Sequence, residues 1–266
     1  MNMSFDRHRA QKLCEGILGC ASFDDFFLAD ISTLTLDAAN AYAFKNSLID
    51  DAKDLFYKGH LSLLEGINGI ENKNYSWAIV KCYYSVFYMI KADLALRDYG
   101  LIRHKTIYYL QASAGATPIT KGRNGANRTK YAGDHKSAIN YYKDLFSGSD
   151  ILLSQEIDGL SSYEWLMKKR EQVNYQERYF NDPNGSDFMA YIANEVASGN
   201  FTKLIEDIIS DTFVITFQNE FSPLAVPIKR AILTKANFDS NGLDLDYTVA
   251  QVNHLKTFPR YTILGI

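Results

Sequence analysis

Arg170 and Asn174 are the residues of this 266-residue chain best placed to share one polar cleft. On a helix Arg170 lies about 40° from Leu166 and about 60° from Val173, at the edge of the apolar stripe Leu166, Val173, Phe180, so its guanidinium cannot simply point into bulk water. Asn174, four residues on, projects to the same side, whereas Tyr175 is about 140° away in regular helical geometry. One reading is a functional cleft. The other is an arginine that ties helices together through a carboxylate such as Asp93 or Glu65. A second basic group lies between Gly115 and Gly133, where Lys121, Arg123 and Arg128, followed by Lys130, stand among Gly, Thr and Asn with no acid between Thr120 and Thr129. Such a loop suits contact with phosphate, since glycine and asparagine allow close backbone approach and the cations supply charge; a solvated surface loop fits the same composition. The five histidines, His8, His60, His104, His135 and His254, are scattered singly. GxxxxGK[ST], strand-linked GxGxxG, HExxH, GxSxG and zinc-spaced Cys/His clusters are all missing, which argues against ATP hydrolysis and zinc chemistry.

Composition narrows the classes further. With 47% apolar and 14% aromatic residues the chain is globular in type, and a formal net charge of −3 gives no whole-molecule attraction to nucleic acid, so any anion site must be local. Cys14, Cys20 and Cys82 form no CxxC pair and read as reduced thiols of a cytoplasmic protein. No apolar run approaches the ~18 residues of a membrane span, and the N-terminus lacks the apolar core of a secretory signal.

The elements that must position Arg170 read mainly as helices. Asn74 to Gly100 is expected to be one long central helix, capped by Asn74 and closed at Gly100, with an apolar face too broad for a surface position. Before it, the pattern from Ser47, with Asp50 at capping-box spacing, predicts a helix to about Asn72 and hence an antiparallel hairpin. Residues 1 to 45 are ambiguous: Ser22-Phe23-Asp24-Asp25 could cap a short helix, and Ile31 to Leu36 could be a strand or an extended packing arm. Later helices are expected from Asp134 to Ser147, Ser161 to Asn181, Asp187 to Ser198, Phe201 to Ser210, Pro227 to Lys235 and Leu243 to Lys256, with Thr212 to Gln218 as one short strand. The expected organisation is an N-terminal arm (1–46), a helical bundle (47–185) and a C-terminal helical appendage (186–266).

In this order the elements resemble the HEPN superfamily, helical bundles of prokaryotic toxin-antitoxin, abortive-infection and CRISPR-associated proteins. The resemblance covers about residues 48 to 182 and rests on the aromatic helix AIVKCYYSVFYMIKADLAL, the basic start DHKSAINYYKDLF and the last bundle helix with REQVNY. It implies an all-α, HEPN-like antiparallel bundle and a metal-independent ribonuclease motif, an arginine followed after four to six residues by histidine, completed by homodimerisation. Arg170 matches the arginine, but positions 175 to 177 are Tyr175, Gln176 and Glu177; Asn174-Tyr175 looks more like the branch that carries Asp-Tyr there. The implied chemistry is attack of an RNA 2′-hydroxyl on its own phosphate, with Arg170 stabilising charge and Tyr175 or His135 moving the proton. Lys121, Arg123, Arg128, Lys130, Lys136 and Lys169 would then hold RNA phosphates, with no metal or cofactor and with a partner protein encoded nearby. Two alternatives stand beside this: a catalytically inert subunit that dimerises or docks on a partner, and a nucleotide-binding helical module.

Overall fold

The computed structural model describes residues 6–23, 31–122 and 127–262. It is mostly helical, 61% helix and 6% strand, with ten helices and two small antiparallel sheets among the described residues. By its contacts the chain divides into two compact units, Met1–Leu55 with Lys91–Tyr142, and Phe56–Ile90 with Lys143–Ile266.

The first unit contains α1 (Arg9–Ile17), the beginning of α2 (Ala38–Glu71), the end of α3 (Tyr75–Leu96), the hairpin β1 (Tyr99–His104) and β2 (Thr106–Gln111), the single turn α4 (Asn127–Lys130) and most of α5 (Gly133–Phe146). Helix α2 starts nine residues before the expected Ser47, because Asp37 is the cap: its carboxylate accepts the Asn40 amide at 2.7 Å. Ser47 lies inside the helix and donates its hydroxyl to the Ala43 carbonyl. Ile31, Leu34 and Leu36 are buried; Ile31 to Thr33 is a helical residue and a turn rather than strand or extended arm, and only beyond it does Leu36 exchange backbone hydrogen bonds with Ala116 and Gly115 at 3.0 and 2.7 Å. Of the Ser22 to Asp25 segment, Asp24 and Asp25 lie outside the described residues.

Gly100 is not the cap of α3. That helix ends at Leu96, Asp98 takes the left-handed conformation (φ 68°), and Gly100 pairs with Leu110 in the hairpin. Its glycine identity follows from packing, since a Cβ there would stand 2.5 Å from the Phe44 ring. Under the hairpin, Tyr109 stacks on Tyr141 with ring centres 3.9 Å apart, and buried Asp93 accepts the Tyr142 hydroxyl at 2.6 Å and Arg97 Nε at 3.2 Å.

The second unit is built on the remainder of α2 and α3, a hairpin closed through Lys73 at φ 60°. The two helices approach closely where α2 presents Gly59, Gly66 and Gly69: a Cβ on Gly66 would meet Cys82 Sγ at 2.9 Å, and one on Gly59 would meet the Met89 side chain. The chain continues through a 3₁₀ turn (Ile151–Leu153), a tight hairpin of β3 (Glu156–Ile157) and β4 (Leu160–Ser161), α6 (Ser162–Glu171), a π-helical turn (Gln172–Gln176), α7 (Ala190–Ala197), α8 (Phe201–Ser210), α9 (Ser222–Ser240) and α10 (Val249–Leu255).

Three sequence expectations are corrected here. The segment Thr212 to Gln218 is not a strand: the Asp211 carboxylate accepts the amides of Val214, Ile215 and Thr216, which folds the segment into a tight loop. Helix α9 begins at Ser222 rather than Pro227; Pro223 fills its first turn and Pro227 is carried inside it. The helix from Ser161 was expected to reach Asn181, and regular α geometry stops at Glu171. Behind α6, Asp150 is the hub of the core: it caps the 3₁₀ turn through the Leu152 amide, accepts the Tyr163 hydroxyl at 2.5 Å and pairs with buried Arg230 at 2.9 Å.

Candidate functional site: an arginine in a tyrosine cage

Helix α6 delivers Arg170 two residues before the π turn begins at Gln172. From Gln172 to Gln176 the backbone follows π geometry, closed by the Glu177 amide donating to the Gln172 carbonyl at 2.9 Å. A π turn holds one residue more than an α turn. The extra residue brings Tyr175 round to the Arg170 side, and its ring centre stands 5.4 Å from the guanidinium carbon. The expectation from regular helical geometry, with Arg170 and Asn174 together and Tyr175 apart, is therefore corrected. Tyr175 is the residue brought to Arg170, while Asn174 stays half-buried in the same turn and forms no hydrogen bond with it.

Helix α3 supplies the rest of the cage. Tyr83 and Tyr84 present their rings at 5.4 and 5.7 Å from the guanidinium carbon, and Arg170 Nη2 donates weakly to the Tyr84 hydroxyl at 3.4 Å. Three ring faces around one guanidinium form a cation–π cage. Tyr83 is fully buried, Tyr84 half-buried and Tyr175 72% exposed, so the cage has a closed floor and a wall open to solvent.

Among the described residues Arg170 makes no ion pair, and its Nε is buried without an acceptor. The two carboxylates that could have tied it are otherwise engaged, Asp93 with Arg97 and Tyr142, Glu65 with Lys81. Burial works against the charge on Arg170, but the hydroxyls of Tyr84, Tyr175 and Tyr83 outweigh it, so the proton affinity of the guanidinium is shifted upward. Burial likewise pushes the Tyr83 hydroxyl well up, with Arg170 pulling partly the other way. A permanent cation of this kind, flanked by flat rings, is suited to a planar or tetrahedral anion attached to something that stacks.

The other expected site residues divide. Lys169, next to Arg170 in sequence, lies with its ammonium 5.0 Å from the Trp165 ring centre, 5.1 Å from that of Phe188 and 4.0 Å from Asp158, a structural placement. Lys121, Arg128, Lys130, His135 and Lys136 belong to the first unit. There Lys121 lies over the rings of Tyr131 and Tyr141 and Lys130 over Tyr131, at 5.0 to 5.8 Å. Arg128 is exposed, and His135 and Lys136 are half-buried at the start of α5. Arg123 lies outside the described residues. No three His, Cys, Asp or Glu side chains converge as a metal-ligand set among the described residues, and no helix is long and apolar enough to cross a membrane.

Tyr83 and Tyr84 belong to the aromatic helix that carries the family resemblance, and the sequence did not single out either as a contact of Arg170. The signal that could have marked them was the run Tyr83-Tyr84, two adjacent rings on one helix, both of which cannot face the same core. No protein-family model, curated protein or solved structure is significantly similar to the chain.

Proposed function

We propose that the protein is an HEPN-like component of a prokaryotic defence or toxin-antitoxin system, a cytoplasmic homodimer that binds RNA through Arg170. The observation that supports this reading is the uncompensated guanidinium in its half-open tyrosine cage. An RNA phosphate provides the missing anion, and the adjoining base provides a flat face for Tyr175. Binding is favoured over cleavage by what touches Arg170: its ring neighbours are tyrosines rather than the histidine of the ribonuclease motif, and burial drives the tyrosine that forms the floor, Tyr83, away from ionisation.

The test is binding of a labelled RNA oligonucleotide by fluorescence anisotropy across a salt series. Arg170→Ala is expected to weaken binding about tenfold and to lower the slope of log K against log salt by about one, the signature of one lost phosphate contact. Arg170→Ala with unchanged affinity and slope overturns the reading. Incubation of the wild type with total RNA in a chelator separates binding from cleavage. Intact RNA with retained affinity assigns a binding subunit that docks on a partner protein, and Arg170-dependent fragmentation assigns a metal-independent ribonuclease.

A further inference from the structure

Trp77 is one of two tryptophans in the chain; the other, Trp165, is buried, whereas Trp77 is 55% exposed on α3. Phe180, 45% exposed, meets it edge to face with ring centres 5.8 Å apart. Large aromatic rings left in water cost hydrophobic free energy unless something covers them. Trp77 precedes Tyr84 by seven residues, two helical turns, so both project from one face of α3, roughly 10 Å apart along its axis. Tyr88, half-buried and stacked on Tyr84, extends the same row, and Tyr179, 69% exposed, adjoins Phe180 in sequence. Tyr84 in this row is also a wall of the Arg170 cage, and Arg170 has no ion pair among the described residues. The rings are therefore aligned with a site that calls for an anion, which separates this face from an ordinary apolar patch.

We propose that the Trp77–Phe180 pair is a base-stacking subsite, which takes an unpaired nucleobase of the strand whose phosphate sits at Arg170. The inference rests on the RNA-binding reading of Arg170 and adds to it a second point of contact and a requirement for single-stranded RNA. A separation of roughly 10 Å from Tyr84 along the helix axis corresponds to one or two nucleotides of extended strand, so phosphate and stacked base belong to the same short segment. A base paired in a duplex cannot reach the indole face.

Intrinsic fluorescence reads the proposal directly, because Trp77 is the exposed indole. Titration of the full-length protein with a short single-stranded RNA should quench the tryptophan emission, and a duplex of the same sequence should not. Trp77→Phe should bind nearly as well with the quench gone; Trp77→Ala should lose about fivefold to 150-fold in affinity, with an unchanged melting temperature. An oligonucleotide with abasic sugars should show the same loss against the wild type and no further loss against Trp77→Ala.

Arg170-dependent binding without a quench, or with equal affinity for the abasic strand, overturns the stacking subsite while leaving the Arg170 reading intact. Binding that falls with Trp77→Ala but not with Arg170→Ala overturns the Arg170 reading. A Trp77→Ala protein that changes from dimer to monomer by sedimentation and binds RNA unchanged overturns the subsite in favour of contact with a second copy.

Discussion

The burial of single residues decides what reagents can reach them. Cys14 and Cys82 are buried, and desolvation pushes each thiol up to about 12, far from the thiolate that reacts. Cys20 is half-buried, with its thiol donating to the Glu15 carbonyl at 3.4 Å. We therefore expect a thiol reagent at pH 8 to modify one cysteine of the native protein, Cys20, and all three in denaturant; rapid modification of Cys82 in the native state would contradict its packing against Gly66. At Arg170, the sequence left open whether a carboxylate or a ligand completes the side chain, and the stripe it was read against is only partly formed, since Phe180 lies beyond the end of the helix. The fold pairs Asp93 with Arg97 and Tyr142 and Glu65 with Lys81, partnerships that sequence spacing did not reveal.

Among the elements, the buried cluster joining the 3₁₀ turn, α6 and α9 carries the sharpest stability prediction. Asp150 neutralises Arg230, accepts from Tyr163 and caps its own turn, so Asp150→Ala leaves a buried guanidinium without its counter-charge. The expected cost is about 3–5 kcal/mol, measurable as a drop in the urea midpoint. A loss below about 1 kcal/mol would mean that water reaches Arg230 in the native state. Much of the helical order was legible: α2 and α3 as a hairpin, α5 from Asp134's neighbourhood, and α8 over Phe201–Ser210 follow from apolar spacing and turn residues. The two hairpins were not read. Asp158-Gly159, with φ of 51° and 74°, is a strong two-residue turn signal, but its flanking strands are two residues each, too short to show alternation. β1 and β2 escaped for another reason: burial alternates along β1, but its buried positions are Gly100, Ile102 and His104, which give no apolar alternation, and in β2 Tyr108, Tyr109 and Leu110 are buried in succession.

For the molecule as a whole, His60 makes stability depend on pH. It is fully buried on α2 among Phe56, Tyr247 and Tyr261, its Nε2 has no partner, and burial lowers its pKa from 6.5 to about 4. Between those values the unfolded chain binds a proton that the native chain refuses, so the contribution is complete above pH 6.5 and is lost as pH falls toward 4. The total is up to roughly 3 kcal/mol, from 1.36 kcal/mol per pKa unit. Urea unfolding at pH 7 and pH 5 should show a larger acid loss for the wild type than for His60→Phe, whose residue cannot titrate. Equal losses would place His60 in contact with water. The division of the chain into two units, with α2 and α3 contributing residues to both, was not legible, because a continuous apolar pattern along a helix does not reveal which neighbours cover which half.

The π turn after α6 has a consequence for finding relatives of this chain. Patterns that count residues assume a constant pitch, and here the ring that meets Arg170 lies five positions on because one residue is accommodated as an offset in phase. A chain with an uninterrupted helix would need its partner side chain at three or four positions, and would look unrelated by spacing while placing the same atoms in the same place. Kinship is thus better sought as a geometric signature, a guanidinium among tyrosines and in no ion pair among the described residues, than as a string of letters at fixed intervals.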